Sequence, residues 1–160
     1  MILDLIALDN ASKVWIYQSD KEFTYDELDE AREDIFHFLN DWTAHSRELY
    51  CYGNIFHKRF LAIFADETNT HASGCSIDKS VRFVEALGNK YGKDFFDRMT
   101  YAYMKDENIH TLHHTELPNN YAAGKIDDET LFFDNLVKNK GEFLKGWLKP
   151  LKTSWHNRFL

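Results

Sequence analysis

Residues 66–80 (DETNTHASGCSIDKS) hold the side chains of this chain that are best suited to chemistry. Cys75 lies where a polar loop gives way to an amphipathic segment, at the expected start of a helix. Unpaired backbone N–H groups at a helix start carry partial positive charge and favour a thiolate. His71, four residues upstream, is close enough in sequence to serve as a base. Cys75 and His71 are therefore the predicted catalytic residues if the protein is a thiol-dependent enzyme.

Cys75 also has a purely structural explanation. A cysteine beside Gly74 is small enough to pack beneath a tight turn. The segment does not fit a phosphatase loop, because six residues separate Cys75 from Arg82, one more than that motif allows. The chemical and the structural interpretations of Cys75 both stay open.

The same helix start predicts a site for a small anionic ligand, since unpaired N–H groups bind anions. Serine and aspartate are also common helix caps, so capping alone explains their presence. Asp66, Glu67 and Asp78 make the neighbourhood negative, which opposes an anion unless Lys79 or Arg82 turns inward. The predicted ligand-binding residues are Ser73, Gly74, Ser76, Ile77 and Asp78.

Three histidines, His110, His113 and His114, cluster on an expected strand, where His110 and His114 would share one face. The zinc spacings HExxH and CxxC are absent. Histidines on an exposed hairpin explain the cluster equally well. We therefore predict no metal site and no cofactor.

The formal net charge of −7 opposes nonspecific nucleic-acid binding, which needs a basic surface. Trp15, Tyr17, Phe60 and Phe64 lie on two expected strands, as the base-stacking rings of RNA-recognition domains do, but a buried core explains them as well. We do not expect a nucleic-acid partner. If a local basic patch exists, its residues are Lys138, Lys140, Lys145, Lys149, Lys152 and Arg158.

Length and composition predict a cytoplasmic globular protein. Hydrophobic residues make up 44% of the 160 residues and charged residues 28%, as is usual for such proteins. The segment MILDLIALDN is too short and too acidic for a signal peptide or a membrane span, so no membrane association is expected. Two cysteines do not form a disulfide framework.

The order of elements predicts an α+β fold. Residues 13–19, 49–56, 60–65 and 99–104 are rich in β-branched and aromatic residues and indicate strands, the last pairing with 109–114. Thr24 and Glu27 have the spacing of a capping box before one amphipathic helix, and a second helix follows Cys75 and ends near Gly92. The order βαββαβ is typical of the ferredoxin-like, split βαβ fold, with two helices on one face of an antiparallel sheet.

The C-terminal third is predicted to be an extension. Pro118-Asn119-Asn120 interrupts the chain, and Asp127-Asp128-Glu129 is expected to open a helix that carries Leu131 and Phe132. The leucines and rings that follow are too apolar to remain in solvent. We expect a single α+β domain over 1–160, with a core of about 13–116 and an extension over 117–160 packed on that core or on a partner.

Six blocks carry a resemblance to a known family: VWIYQS (14–19), WTAH (42–45), SGCSIDKSVRF (73–83), DFFDRM (94–99), TLFFDNLVKNKGEF (130–143) and SWHNRFL (154–160). They resemble a family of small uncharacterised bacterial proteins commonly labelled "ABC transporter ATPase". The resemblance covers nearly the whole chain and implies one protein type throughout. It implies no reaction and no catalytic residues.

The residues themselves do not predict an ATPase. Gly124-Lys125-Ile126 lacks the Ser or Thr and the upstream glycine of a Walker A loop. We therefore favour a non-catalytic cytoplasmic protein that binds a small ligand or a protein partner, with residues 66–80 and the aromatic C-terminus as contact regions. A homo-oligomer formed through the C-terminal region is one expected assembly, and a thiol-dependent enzyme that uses Cys75 is the alternative function.

Overall fold

The computed structural model describes residues 1–44, 49–68 and 74–160. Contacts between residues divide the chain into two compact units. The first unit comprises Met1–Phe96 and Lys138–Gly141, and the second comprises Asp97–Val137 and Glu142–Leu160. Each unit contains an antiparallel sheet, so the predicted α+β class is confirmed.

The sheet of the first unit has the split βαβ arrangement. Its strands are β1 (Lys13–Gln18), β2 (Tyr50–Phe56) and β3 (Phe60–Asp66), in the order β1-β3-β2. Both pairs are antiparallel, so β1 and β2 run in the same direction with β3 between them. The apolar sequence FLAIFA therefore occupies the centre of the sheet, and all six residues are buried.

Two helices cover one face of this sheet, as predicted. Helix α1 (Tyr25–Ala44) begins with the expected capping box, in which Thr24 and Glu27 exchange hydrogen bonds of 2.9 and 3.1 Å. Helix α2 (Gly74–Tyr91) is followed by Gly92, whose φ of +65° suits a residue that ends a helix. The core between the helices and β3 includes Leu28, Ala31, Ile35, Leu39, Leu61, Ile63, Ala65, Val84 and Leu87.

The second unit contains strands β4 (Thr100–Lys105), β5 (Asn108–His113), β6 (Leu131–Phe133) and β7 (Leu148–Pro150), in the order β5-β4-β6-β7. The predicted pairing of β4 with β5 is confirmed. The complete ferredoxin-like topology is not confirmed, because β4 belongs to this second sheet and not to the first.

Another segment of the first unit lies beside β1, at the edge where a ferredoxin-like fold would place β4. The Val14 N–H donates to the Lys138 carbonyl at 3.1 Å, and the Lys140 N–H donates to the Ser12 carbonyl at 2.8 Å. These bonds satisfy backbone groups at the β1 edge that a fourth strand would otherwise pair.

The predicted helix after Asp127 is wrong. Asp127 and Thr130 close a turn, with the Asp127 N–H donating to Thr130 Oγ1 at 2.9 Å, and Leu131–Phe133 then forms β6. The three-residue strand pairs with both β4 and β7, so sheet pairing outweighs the local helix signal. The interruption expected at Pro118 is also wrong. Pro118 lies in the first turn of the short helix α3 (Leu117–Ala122), where proline is well tolerated.

The C-terminal part of the second unit packs on the sheet of that unit. Helix α4 (Lys140–Gly146), of which Glu142 onwards belongs to this unit, precedes β7. Two 3₁₀ turns, Leu151–Thr153 and Trp155–Phe159, follow β7. Leu151 is fully buried and Trp155 is partly buried against the same cluster. The core of this unit consists of Tyr101, Leu112, Leu117, Ile126, Phe132 and Leu151.

Candidate functional site

The predicted catalytic and ligand-binding residues lie at the start of α2 and in the loop before it. His71 and Ser73 are outside the described residues, and for Gly74, Cys75 and Ser76 the backbone forms the first turn of α2. Ile77 is partly buried and its carbonyl accepts from Ser80 Oγ at 2.6 Å. Asp78 is exposed. The catalytic and ligand-binding roles of these residues remain predictions.

The second cysteine is not suited to nucleophilic chemistry. Cys51 is a free thiol that is fully buried in the core of the first unit. Burial raises the pKa of the Cys51 thiol to about 11. The thiol is therefore protonated at neutral pH, which is the unreactive form.

The three clustered histidines do not share one strand. His110 lies within β5, and His113 is the last residue of that strand. His114 is the first residue of the 3₁₀ turn that follows. His113 caps that turn, because its Nδ1 accepts from the Thr115 N–H at 3.4 Å. Within residues 1–44, 49–68 and 74–160, no group of three or more His, Cys, Asp or Glu side chains is arranged to hold a metal ion.

The aromatic residues of β1 and β3 lie on opposite faces of the sheet. Trp15 is paired with Ile63, and Trp15 and Tyr17 pack against the core under the helices. Phe60 and Phe64 project to the other face and are fully buried. The four rings therefore do not form the open platform on which RNA-recognition domains stack bases.

A serine and a histidine that the sequence interpretation did not select are in contact in the second unit. Ser154 Oγ and His156 Nδ1 are 2.6 Å apart, the distance of an activated nucleophile and its base. However, Ser154 is 5% exposed and His156 1% exposed, and rings of Tyr101 and Trp155 lie within 4.7 and 3.8 Å of the imidazole. Burial lowers the pKa of His156 to about 4. The pair is enclosed and weakly basic, so its role is structural.

Half of the cations of the expected basic patch are engaged by the protein itself. Lys149 pairs with Asp134 at 2.7 Å and Lys152 pairs with Glu129. Lys140 is buried and donates to the Ile6 and Leu8 carbonyls at 3.2 and 2.6 Å. Three of the six cations that the sequence suggested therefore serve the protein's own structure.

A groove in the first unit is the strongest binding feature of the described residues. It has a volume of about 590 Å³ and lies along β2, between α1 and the N-terminal segment. Its lining combines apolar residues with a few polar ones, as is common for ligand sites. We call it the edge groove; it is lined by Ile2, Leu3, Asp4, Ala7, Arg32, Phe36, Leu39, Tyr52, Gly53 and Asn54.

The backbone of β2 is open at one residue within the edge groove. β2 is an edge strand, and alternate residues direct their N–H and C=O groups away from β3. At Cys51 both outward groups are paired, since its N–H donates to the Met1 carbonyl at 3.0 Å and its C=O accepts from the Leu3 N–H at 2.9 Å. Gly53 is the next outward residue, and its N–H and C=O have no partner in the described part of the chain.

A polar frame closes the strand edge at the following outward residue, Ile55. The Ile55 N–H donates to Asn54 Oδ1 at 2.8 Å, and its carbonyl accepts from Arg32 Nη2 at 3.3 Å. Arg32 Nε also donates to Asn54 Oδ1 at 2.9 Å, while Asn54 Nδ2 donates to the Tyr52 hydroxyl at 3.0 Å. The open backbone of Gly53 is thus bounded on both sides by satisfied residues.

The glycine at position 53 has a packing reason. A Cβ placed there would lie 3.1 Å from Leu39 Cδ1 and 3.2 Å from Ile35 Cγ2, closer than most Cβ contacts. The absent side chain lets α1 lie close to the strand and leaves the backbone of residue 53 accessible from the groove. The pattern in the sequence that could have indicated this site is a glycine inside a strand, YCYGNIF.

A smaller pocket of about 340 Å³ lies beside the C-terminal half of α2. Lys93 lines it, but its Nζ is 3.3 Å from Glu27 and 4.8 Å from the ring centre of Phe23. The cation of this pocket is therefore engaged by the protein itself.

Comparison with known proteins assigns no relative to the chain: no family model, no curated protein and no solved structure matches it significantly. Among the described helices, none combines the length and the apolar character that crossing a membrane requires.

Proposed function

We propose that this protein is a non-catalytic binding protein and that the edge groove is its binding site. The observation that carries the proposal is that the N–H and C=O of Gly53 have no partner within the described residues and that Gly53 lines a groove of about 590 Å³. Backbone groups left without a partner are a template for pairing with another molecule. This site differs from the two contact regions that the sequence suggested, residues 66–80 and the aromatic C-terminus.

Arg32 supports a ligand that carries a negative group, the same class of ligand that the sequence suggested for residues 66–80. Its guanidinium lines the groove and makes no ion pair within the described residues. A guanidinium has five N–H donors, and two of them are used in the bonds to Asn54 and Ile55. The remaining donors are suited to a carboxylate or a phosphate.

Three further parts of the proposal were first suggested by the sequence. We place the protein in the cytoplasm, and we relate it to the family commonly labelled "ABC transporter ATPase" without its labelled activity, because the chain has no Walker A loop. Self-association through the C-terminal region is supported by apolar side chains that stay exposed in the second unit, namely Leu136, Leu144, Phe159 and Leu160.

Backbone NMR of the ¹⁵N-labelled full chain tests the binding site. We would titrate it with a panel of phosphate, succinate, adenosine monophosphate and end-blocked tripeptides. We expect at least one compound to shift the amide signals of Tyr52, Gly53 and Asn54 in a saturable manner. No shift at these residues with any compound would contradict the proposal.

A matched pair of variants separates the groove from general surface effects. Phe36→Ser removes a ring that lines the groove and is 54% exposed, whereas Phe159→Ser removes a ring of the second unit that is 50% exposed. We expect Phe36→Ser to weaken binding several-fold and Phe159→Ser to leave it unchanged. Equal effects of the two substitutions would mean that the groove is not the site.

A thiol-dependent reaction at Cys75 is the second proposal, because the backbone of Cys75 lies in the first turn of α2. The rate of alkylation by iodoacetamide against pH measures the thiol pKa. Cys51 is buried with its pKa raised to about 11, so the folded protein needs no second substitution. A Cys75 rate that follows a pKa near 8.5, the value of a free thiol, would remove the support for an activated nucleophile.

A further inference from the structure

Resting on the proposed binding function, we infer that the edge groove binds an extended peptide segment that places a glutamate opposite Gly53. The inference identifies the class of ligand, a peptide that adds to the edge of a sheet. Such strand addition derives its affinity from main-chain hydrogen bonds and its specificity from alternate side chains.

The hydrogen-bonding pattern at Gly53 matches one residue of an antiparallel strand. In an antiparallel ladder, two directly opposite residues exchange both N–H···O=C bonds. Gly53 offers one donor and one acceptor on the same edge, and both are open in the described chain. A single peptide residue therefore satisfies both groups at once.

The neighbours of Gly53 limit the length of the peptide. The outward groups of Cys51 are already bonded to the N-terminal segment, and those of Ile55 are bonded to Asn54 and Arg32. A peptide residue two positions away from the central one would find no open partner on either side. The groove therefore holds about three residues in strand register before the peptide must leave the edge.

The face on which the central side chain projects favours glutamate. Directly opposite residues of an antiparallel pair project to the same face, and the Cβ position of Gly53 points to α1. Phe36 and Arg32 line the groove from α1 and are four residues apart, so they are neighbours on one helix face. A glutamate can lay its methylene groups on the Phe36 ring and direct its carboxylate to Arg32.

Charge also defines the flanking positions of the peptide. Asp4 lines the opposite wall of the groove, so a second acidic residue beside the central glutamate would be repelled. Neutral residues such as serine fit these positions. The proposed ligand is thus a three-residue segment of the type Ser-Glu-Ser within a longer extended chain.

Titration of the labelled full chain with acetyl-Ser-Glu-Ser-amide tests the inference. We expect saturable shifts of the Gly53 amide signal, with a dissociation constant of about 1 mM, the weak affinity that a small contact gives. Two peptides serve as controls. Replacing glutamate by glutamine removes the charge, and N-methylation of the glutamate nitrogen removes the donor that would bond to the Gly53 carbonyl. We expect each change to weaken binding by about tenfold, since each removes one hydrogen bond or ion pair.

Equal binding of the N-methylated peptide would overturn strand addition, and equal binding of the glutamine peptide would overturn the role of Arg32. If phosphate, succinate or the nucleotide shifts Gly53 and the peptide does not, the inference fails while the proposed binding function stands. If no compound of the panel shifts Gly53, both fail. The Phe36→Ser and Phe159→Ser variants test the binding site from the protein. We expect Phe36→Ser to weaken binding of the peptide and Phe159→Ser to leave it unchanged.

Discussion

The two units of this protein place a hydrogen-bonded polar cluster in different surroundings, although each unit also buries single polar residues. In the first unit, the core between the helices and the sheet consists of hydrophobic side chains, and the polar frame of Arg32, Asn54 and Tyr52 lies at the edge groove. In the second unit, Ser154 and His156 form a hydrogen-bonded pair, and these residues are 5% and 1% exposed. A polar group at an accessible edge is available to a ligand, whereas a polar group that is enclosed and paired contributes to the structure alone.

The enclosed histidine makes the second unit sensitive to acid. Because the pKa of His156 is about 4 in the folded protein and about 6.5 in an unfolded chain, only the unfolded chain binds this proton between those values. Lowering the pH through this range therefore favours unfolding. In the first unit, partial desolvation also lowers the pKa of His57, but this residue lies at a hairpin turn and is far more exposed than His156, so we expect a smaller effect.

The largest expected effect lies in the apolar core of the first unit. Ile35 is 1% exposed, so Ile35→Ala should lower the free energy of unfolding by about 2–5 kcal/mol through lost burial and a cavity. Urea unfolding at pH 7 measures this loss. Phe36→Ala, at the next residue of the same helix, is the matched control and should cost less than about 1 kcal/mol because the ring is half exposed. Equal losses would contradict the assignment of Ile35 to the core.

The second-largest expected effect is a loss of stability on acidification that is greater in the second unit than in the first. From pH 7 to pH 5, we expect the second unit to lose about 2 kcal/mol, because its unfolded form gains the proton that buried His156 excludes. Hydrogen exchange of β4 to β7 against β1 to β3 reports the two units separately. In His156→Gln, which cannot titrate, this loss between pH 7 and pH 5 should disappear. An equal loss in the variant would show that another group is responsible.

Removing a capping group should have a smaller effect, and each unit offers one. Thr24→Ala removes the cap of the 20-residue helix α1 and should cost about 1 kcal/mol, while Thr24→Ser keeps the hydroxyl and should restore most of it. His113→Ala removes the corresponding cap of a three-residue 3₁₀ turn and should cost less. Urea unfolding of the three variants checks this order. A larger loss of unfolding free energy for His113→Ala than for Thr24→Ala would contradict the greater importance of the α1 cap.

The smallest expected effect is local and needs no substitution. The Gly53 amide should exchange with solvent faster than the Cys51 amide, because Cys51 donates to the Met1 carbonyl at 3.0 Å and Gly53 has no partner within the described residues. NMR-detected hydrogen exchange of the unliganded protein measures both rates. Protection of Gly53 equal to that of Cys51 would remove the open edge on which the proposed binding site depends.

Local patterns were sufficient for much of the secondary structure. The capping box at Thr24, the alternation and aromatic content of β1 to β5 and the glycine after α2 each depend on residues within a few positions of one another. The prediction of a helix after Asp127 was wrong because the structure there depends on distant residues. Leu131–Phe133 is stabilised as a strand by pairing with β4 and β7. Propensity is a weak guide where such pairing decides.

The candidate site was less accessible to sequence reasoning. Residues 66–80 contain side chains suited to chemistry, which a sequence pattern reveals, but His71 and Ser73 lie outside the described residues. The sequence does not predict the edge groove, because its central feature is the backbone of a glycine. Whether that backbone can form hydrogen bonds with a ligand depends on which segments lie beside β2. Ser154 and His156 are only two positions apart in the sequence, so a possible contact between them can be predicted. Their burial, which indicates a structural role, is visible only in the structure.

By itself, the sequence determined the α+β class, the capped first helix, the buried central strand and the paired strands β4 and β5, because all of these follow from short-range periodicity and turn chemistry. The tertiary structure decided which strands share a sheet, which histidine is buried and which backbone groups remain open. These outcomes depend on contacts between residues far apart in the chain, such as Met1 with Cys51 or Ser12 with Lys140. Cys75 remains a thiol at a helix start, while the open edge at Gly53 is a feature that only the assembled sheet creates.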